Sequence, residues 1–92
     1  MTWIVVFKNP KRIEKAVLKL RIATKVAFKK AIEDLRVEGP RPQDWHIKVL
    51  RGNYAGLMSL RLDYRHRMIY EVVHDRLIIT VIEVSTREEA YS

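Results

Sequence analysis

Between residues 58 and 72 the chain alternates apolar and polar side chains twice, with a short polar break between the two alternations. Met58, Leu60 and Leu62 alternate with Ser59, Arg61 and Asp63, so extended backbone turns three apolar groups to one face and three polar groups to the other. After Tyr64, Arg65 and His66, a second alternation places Met68, Tyr70 and Val72 on one face and begins the opposite face with Arg67. Paired as antiparallel strands, the two segments build a sheet with one apolar face and bring Arg61 and Arg67 to the same side of the other. The apolar face needs a cover, and the rest of the chain must supply it.

The first half holds the cover. Asn9 before Pro10 reads as a helix start, because Asn caps free amides and proline suits the first helical position. Ile13, Ala16, Val17 and Leu20 then follow at the spacing of one helical face. A second set, Ala27, Phe28, Ala31, Ile32 and Leu35, runs to a stop at Glu38-Gly39-Pro40. One uninterrupted helix from Pro10 to Arg36 would be about 40 Å long at 1.5 Å per residue, too long for so small a domain. A helical hairpin broken near Ala23 or Thr24 is therefore expected, packed on Met58, Leu60, Leu62, Met68, Tyr70 and Val72.

Three further strands complete the reading. Trp3 to Phe7 is a continuous apolar run and predicts a strand buried on both faces. Trp45 to Leu50 puts Ile47 and Val49 on one face and His46, Lys48 and Leu50 on the other, with a turn at Arg51-Gly52-Asn53. Leu77 to Val84, rich in β-branched residues, predicts the central strand of the sheet, entered by a turn at His74-Asp75-Arg76. The fold class is α/β in the α+β sense, and 92 residues predict a single domain spanning 1–92.

Charge narrows the function. Eighteen Lys and Arg against eleven Asp and Glu give a formal charge of +7, which favours a polyanionic partner, nucleic acid first. From Lys8 to Lys30 nine residues are basic and Glu14 is the single acid, so the helices carry a positive outer surface. Cysteine is absent, which removes disulfides and thiolate chemistry and fits a reducing compartment. No apolar run reaches the length of a membrane span and the opening residues lack the basic lead of a signal peptide, so a cytoplasmic protein without membrane contact is expected.

The order strand, two helices, antiparallel meander resembles the RelE/ParE superfamily of toxins from bacterial toxin–antitoxin systems. The residues that carry the likeness are Leu50-Arg51-Gly52-Asn53, then Gly56, Ser59, Arg61, Arg67, Met68-Ile69-Tyr70 and Val72, at the spacing of the YoeB branch. Ser85 to Tyr91 resembles the basic-plus-tyrosine ends of RelE and its relatives. The resemblance implies a ribosome-dependent endoribonuclease that cuts messenger RNA in the decoding site, uses neither metal nor cofactor, and is silenced by a cognate acidic antitoxin. In the implied chemistry a base deprotonates the ribose 2′-OH, which attacks the adjacent phosphorus, while an acid protonates the departing 5′-oxygen. Arginines stabilise the added phosphate charge with a planar fork that grips two oxygens at once.

Matched residue by residue, Arg67 falls on the family's phosphate-binding arginine and Arg61 on a second strand arginine. Arg87 stands where relatives place a catalytic arginine or histidine, and Tyr91 near the catalytic tyrosine of RelE. The charge map adds Arg51, Lys25, Lys29 and Arg65 as RNA-backbone contacts. The sequence also departs from the family. Two lysines of RelE are missing from the strand that here contains Leu57-Met58-Ser59, the glutamate base of YoeB corresponds to Lys48, and its terminal histidine and tyrosine correspond to Ser85 and Thr86. Lys48 is thus one candidate base, a role that neighbouring like charge would favour by disfavouring the protonated amine; His46, Asp63 and His66 are the others. A ParE-like inhibitor of DNA gyrase, with the same fold and no nuclease chemistry, is the alternative.

Overall fold

A computed structural model of the chain describes residues 2–86. Strand β1 (Ile4–Phe7) leads into helices α1 (Pro10–Leu18) and α2 (Ile22–Glu38), which are followed by β2 (Ile47–Val49), β3 (Met58–Arg61), β4 (His66–Val73) and β5 (Ile78–Thr86). The sheet order is β1-β5-β4-β3-β2. Strands β2 to β5 form an antiparallel meander, and β1 returns to lie parallel to β5, with Ile4 opposite Ile78 and Phe7 opposite Val81.

Local chemistry sets the helix boundaries. The Asn9 side chain accepts from the Arg12 amide at 3.4 Å and Pro10 opens α1. The chain breaks at Lys19, Leu20 and Arg21, a few residues before the Ala23 or Thr24 predicted from sequence. Leu20 is the reason: its side chain is buried in the core, which draws the backbone inward and ends α1. Thr24 instead lies in the first turn of α2, where its buried hydroxyl donates to Asp63 at 2.5 Å. At the far end α2 stops at Gly39, whose φ of 92° is open to glycine; a Cβ there would lie 2.9 Å from Trp3 Nε1.

Met58, Leu60, Leu62, Met68 and Tyr70 form one buried cluster with Ile13, Leu20, Ala31 and Leu35 of the hairpin, and Val72 packs against it. The register predicted from alternation therefore holds. Tyr70 is fully buried, its hydroxyl donating to the Pro40 carbonyl at 2.6 Å, and burial pushes its phenol above the ordinary pKa, with Arg41 opposing. Trp45 Nε1 donates to Asp34 at 2.8 Å and ties the approach to β2 onto α2.

Two strands differ from expectation. β1 is an edge strand rather than one buried on both faces: Trp3, Val5 and Phe7 pack on the core, whereas Ile4 and Val6 are exposed. Helices cover only one face of the sheet, and a continuous apolar run does not reveal which side will be covered. β5 is an interior strand held by β1 and β4, but the middle of the sheet is β4. Among the described residues no helix is long and apolar enough to cross a membrane.

Candidate functional site

The site grows from the strand register. Arg61 of β3 is the direct cross-strand partner of Arg67 of β4, and Ser59 is paired with Ile69 two positions along. Because β-strand side chains alternate, Ser59, Arg61, Arg67 and Ile69 share the face opposite the helices. Lys48 of β2 pairs with Ser59 and so joins that face from the other side, while Ser85 of β5 pairs with Arg67. The register thus gathers Lys48, Ser59, Arg61, Arg67 and Ser85 on three adjoining strand pairs.

Within this group the arginines differ. Arg61 is exposed, whereas Arg67 is recessed to 5% exposure and donates from Nη1 to Ser59 Oγ at 3.3 Å. A guanidinium held by a neighbour enters a reaction with less orientation left to lose than one swinging in solvent. The face is not bare beside them. Ile69 is fully buried under Leu50, Tyr54 and Leu57, because the segment between β2 and β3 folds back with the Leu50 amide on the Leu57 carbonyl at 2.8 Å. Sequence reading placed Leu50 on this face but missed that the loop forms a second apolar cluster there.

A cleft of about 560 Å³ opens between α1 and the short 3-10 turn Gly52–Tyr54. Arg12 and Lys15 on α1, with Lys19 just past its end, supply one wall, while Tyr54, Glu83 and Ser85 are on the other side. The cleft reaches Ser85, the strand partner of Arg67, so a basic helix flank leads to the recessed arginine. Ser85 Oγ donates to Glu83 at 2.8 Å. Neither the cleft nor the Ser59 contact was read from sequence, although the two-residue spacing of Ser59 and Arg61 already fixed their common face.

The four candidate bases divide into two pairs. His46 lies beside Arg61, whose amide donates to the His46 carbonyl at 3.0 Å, and is exposed, as is Lys48. Asp63 and His66 are instead bound to each other, with His66 Nδ1 3.0 Å from Asp63 Oδ1. Asp63 also accepts the amides of Arg65 and His66 at 2.7 Å and the Thr24 hydroxyl. Burial alone would raise its pKa, but the bonds from Thr24, His66 and Arg65 outweigh burial and hold the carboxyl well below the usual carboxylate range. Such a carboxylate is a poor proton acceptor, and its geometry is that of a clamp on the β3–β4 turn.

The remaining candidates are spread out. Arg51 is exposed and lines a shallow groove with Lys48, Val49 and Leu50. Arg65 is exposed in the β3–β4 turn. Lys25 and Lys29 stand on α2, in the helical layer behind the sheet, and are not brought to the arginine face. Arg87 and Tyr91 lie outside the described residues. Among the described residues no group of three or more acidic or histidine side chains could hold a metal ion.

Compared by sequence, the chain matches no protein-family model and no curated protein at a significant level. Compared by structure, it is similar to the archaeal RelE in the RelE–RelB complex of Pyrococcus horikoshii OT3, with a TM-score of 0.75 and 27% identity over 95% of this chain and 97% of that one. The toxin–antitoxin complex RelBE2 of Mycobacterium tuberculosis gives a TM-score of 0.71 at 24% identity, covering 95% of this chain and 100% of that one. YafQ of E. coli strain BL21(DE3) gives 0.76 at 12% identity, covering 98% and 99%. The five-stranded mixed sheet under a helical hairpin is the fold of these proteins.

Proposed function

We propose that this chain, whose fold and structural relatives are those of the RelE and YoeB type of toxin, is the toxin of a type II toxin–antitoxin pair and acts as a ribosome-dependent endoribonuclease. The observation that carries the reading is the cross-strand pairing of Arg61 with Arg67, the latter fixed by Ser59, on a face that Lys48 also shares. Two guanidiniums on one face suit a phosphate whose charge rises as a fifth oxygen approaches the phosphorus. Arg67 holds the scissile phosphate, and exposed Arg61 meets it from the neighbouring strand.

The nucleophile is the 2′-OH of the substrate itself. A base on the same face, Lys48 or His46, takes its proton; the 2′-oxygen bonds to phosphorus; and the 5′-oxygen departs with a proton. Arg87 and Tyr91 are the proposed groups at the leaving oxygen. The products are an upstream fragment ending in a 2′,3′-cyclic phosphate and a downstream fragment with a free 5′-hydroxyl. The basic flank of α1 and the exposed Arg51 and Arg65 draw the polyanion in. A cognate antitoxin is the natural partner, as the relatives crystallised as RelE–RelB and YoeB–YefM complexes indicate for themselves.

Expression of the chain alone and beside its cognate antitoxin tests the reading. Growth arrest with message cleavage, relieved by the antitoxin, is expected. Arrest with intact message and gyrase-dependent DNA breaks would replace it with the ParE-like alternative.

A further inference from the structure

A second cavity, of about 470 Å³, lies where the helical hairpin turns over the end of the sheet, lined by Lys19, Arg21, Asp63, Tyr64, Arg65 and His66. Its cations come from different segments. Lys19 ends α1, Arg21 precedes α2, and Arg65 projects from the β3–β4 turn. The backbone that carries them is anchored: Leu20, between the first two, is buried in the core, and Asp63 Oδ1 accepts the amides of Arg65 and His66 at 2.7 Å.

Among the described residues Lys19, Arg21 and Arg65 form no ion pair; the pairs there are Lys30 with Asp34, Arg36 with Glu33 and His66 with Asp63. Asp63, the one carboxylate in the cavity wall, turns its oxygens to the Thr24 hydroxyl, the Arg65 and His66 amides and the His66 ring rather than to these cations. Lys19, Arg21 and Arg65 against the single carboxylate of Asp63 leave this concave surface with a net positive charge, which an anion would balance.

Position gives that anion an identity. Lys19 lines both this cavity and the α1 cleft, and the cleft reaches Ser85, the strand partner of Arg67. A basic path thus runs from the arginine face around the end of the sheet to the hairpin turn. We propose that the hairpin-turn cavity is a second phosphate subsite, which holds an RNA backbone phosphate away from the one being cleaved and sets the strand's direction across the site. This inference rests on the reading above that the chain acts on RNA. The phosphate belongs either to the message strand or to ribosomal RNA, and the chemistry of recognition is the same for both.

The test uses the full chain and a Lys19→Ala/Arg21→Ala/Arg65→Ala variant, whose substitutions are all on exposed side chains and should leave thermal unfolding unchanged. The probes are a single-stranded RNA oligonucleotide fully 2′-O-methylated to prevent cutting, and message-free ribosomes. Binding is followed from about 50 to 200 mM salt, where phosphate contacts dominate the dependence. The variant should bind the oligonucleotide roughly tenfold more weakly at the low end, with a log–log salt slope shallower by about 0.7 for one lost single-strand phosphate. Unchanged oligonucleotide binding with a comparable loss on ribosomes would assign the phosphate to ribosomal RNA. Equal binding of both probes by variant and parent would overturn the subsite, even if the parent cuts message. RNA binding that depends on the cavity, in a chain that cuts nothing, would keep the subsite and remove the nuclease reading.

Discussion

Arg67 donates from Nη1 to Ser59 Oγ at 3.3 Å, so a hydroxyl on one strand orients the guanidinium of the next. Ser59 is almost fully buried, which shields this bond from competing water. A hydrogen bond to a charged group contributes roughly 1.5–3 kcal/mol, and the length of this one points to the low end. Ser59→Ala should therefore lower the cleavage rate about tenfold while leaving ribosome binding nearly unchanged, since each 1.36 kcal/mol is a factor of ten. Single-turnover cleavage beside a binding titration separates the two effects.

Arg61 and Arg67 should lose cleavage for different physical reasons. Arg61→Ala removes an exposed side chain and should reduce cleavage about a hundredfold at constant stability. Arg67→Lys keeps the charge but loses the fork, and should cost about as much, because a point charge cannot grip two phosphate oxygens at fixed angles. Cleavage rates with thermal unfolding of each variant check both statements; undiminished cleavage by both would take the pair out of the site.

Asp63 makes stability depend on acid. Folding lowers its pKa, so the folded chain keeps the carboxylate ionised where the unfolded chain has begun to bind a proton. Its contribution is complete above the ordinary carboxylate pKa near 4 and is lost as the pH falls below it. Asp63→Asn should lower stability at neutral pH by about 2–3 kcal/mol, as expected for hydrogen bonds to a charge, and flatten the decline on the acid side. Urea unfolding at neutral pH and near pH 3 compares the two slopes.

Alternation made most of this architecture legible. Two runs of alternation between Met58 and Val72, on either side of the turn, were enough to assign the faces and to set Arg61 and Arg67 on one side of the sheet; their direct pairing comes from the strand register. The edge position of β1 did not, since Ile4 and Val6 read as core residues in a run where every side chain is apolar. Within the site, residues linked by strand spacing were recoverable, but the Asp63 clamp joins α2 to a turn 39 residues away and has no periodic trace. The α1 cleft was equally hidden, because Lys15 and Lys19 look like any solvated helix face until the β5 end is set opposite them.

The positive face should also govern neutralisation. An acidic antitoxin, part of which orders on binding, is expected to cover the arginine face or the neighbouring helices. Its association should slow as salt rises, because steering between opposite charges is screened over about 8 Å at physiological ionic strength. Stopped-flow association across a salt series measures this, and a rate indifferent to salt would separate neutralisation from the charge map.

The most direct measurement adds the purified chain to a translation reaction programmed with a defined message and maps the chemistry and position of every fragment end. Cuts inside ribosome-occupied codons are predicted, with 2′,3′-cyclic phosphate upstream, 5′-hydroxyl downstream, and no cut where the nucleotide before the scissile bond is 2′-deoxy. Intact message, or cleavage that persists at the 2′-deoxy position, would contradict the account.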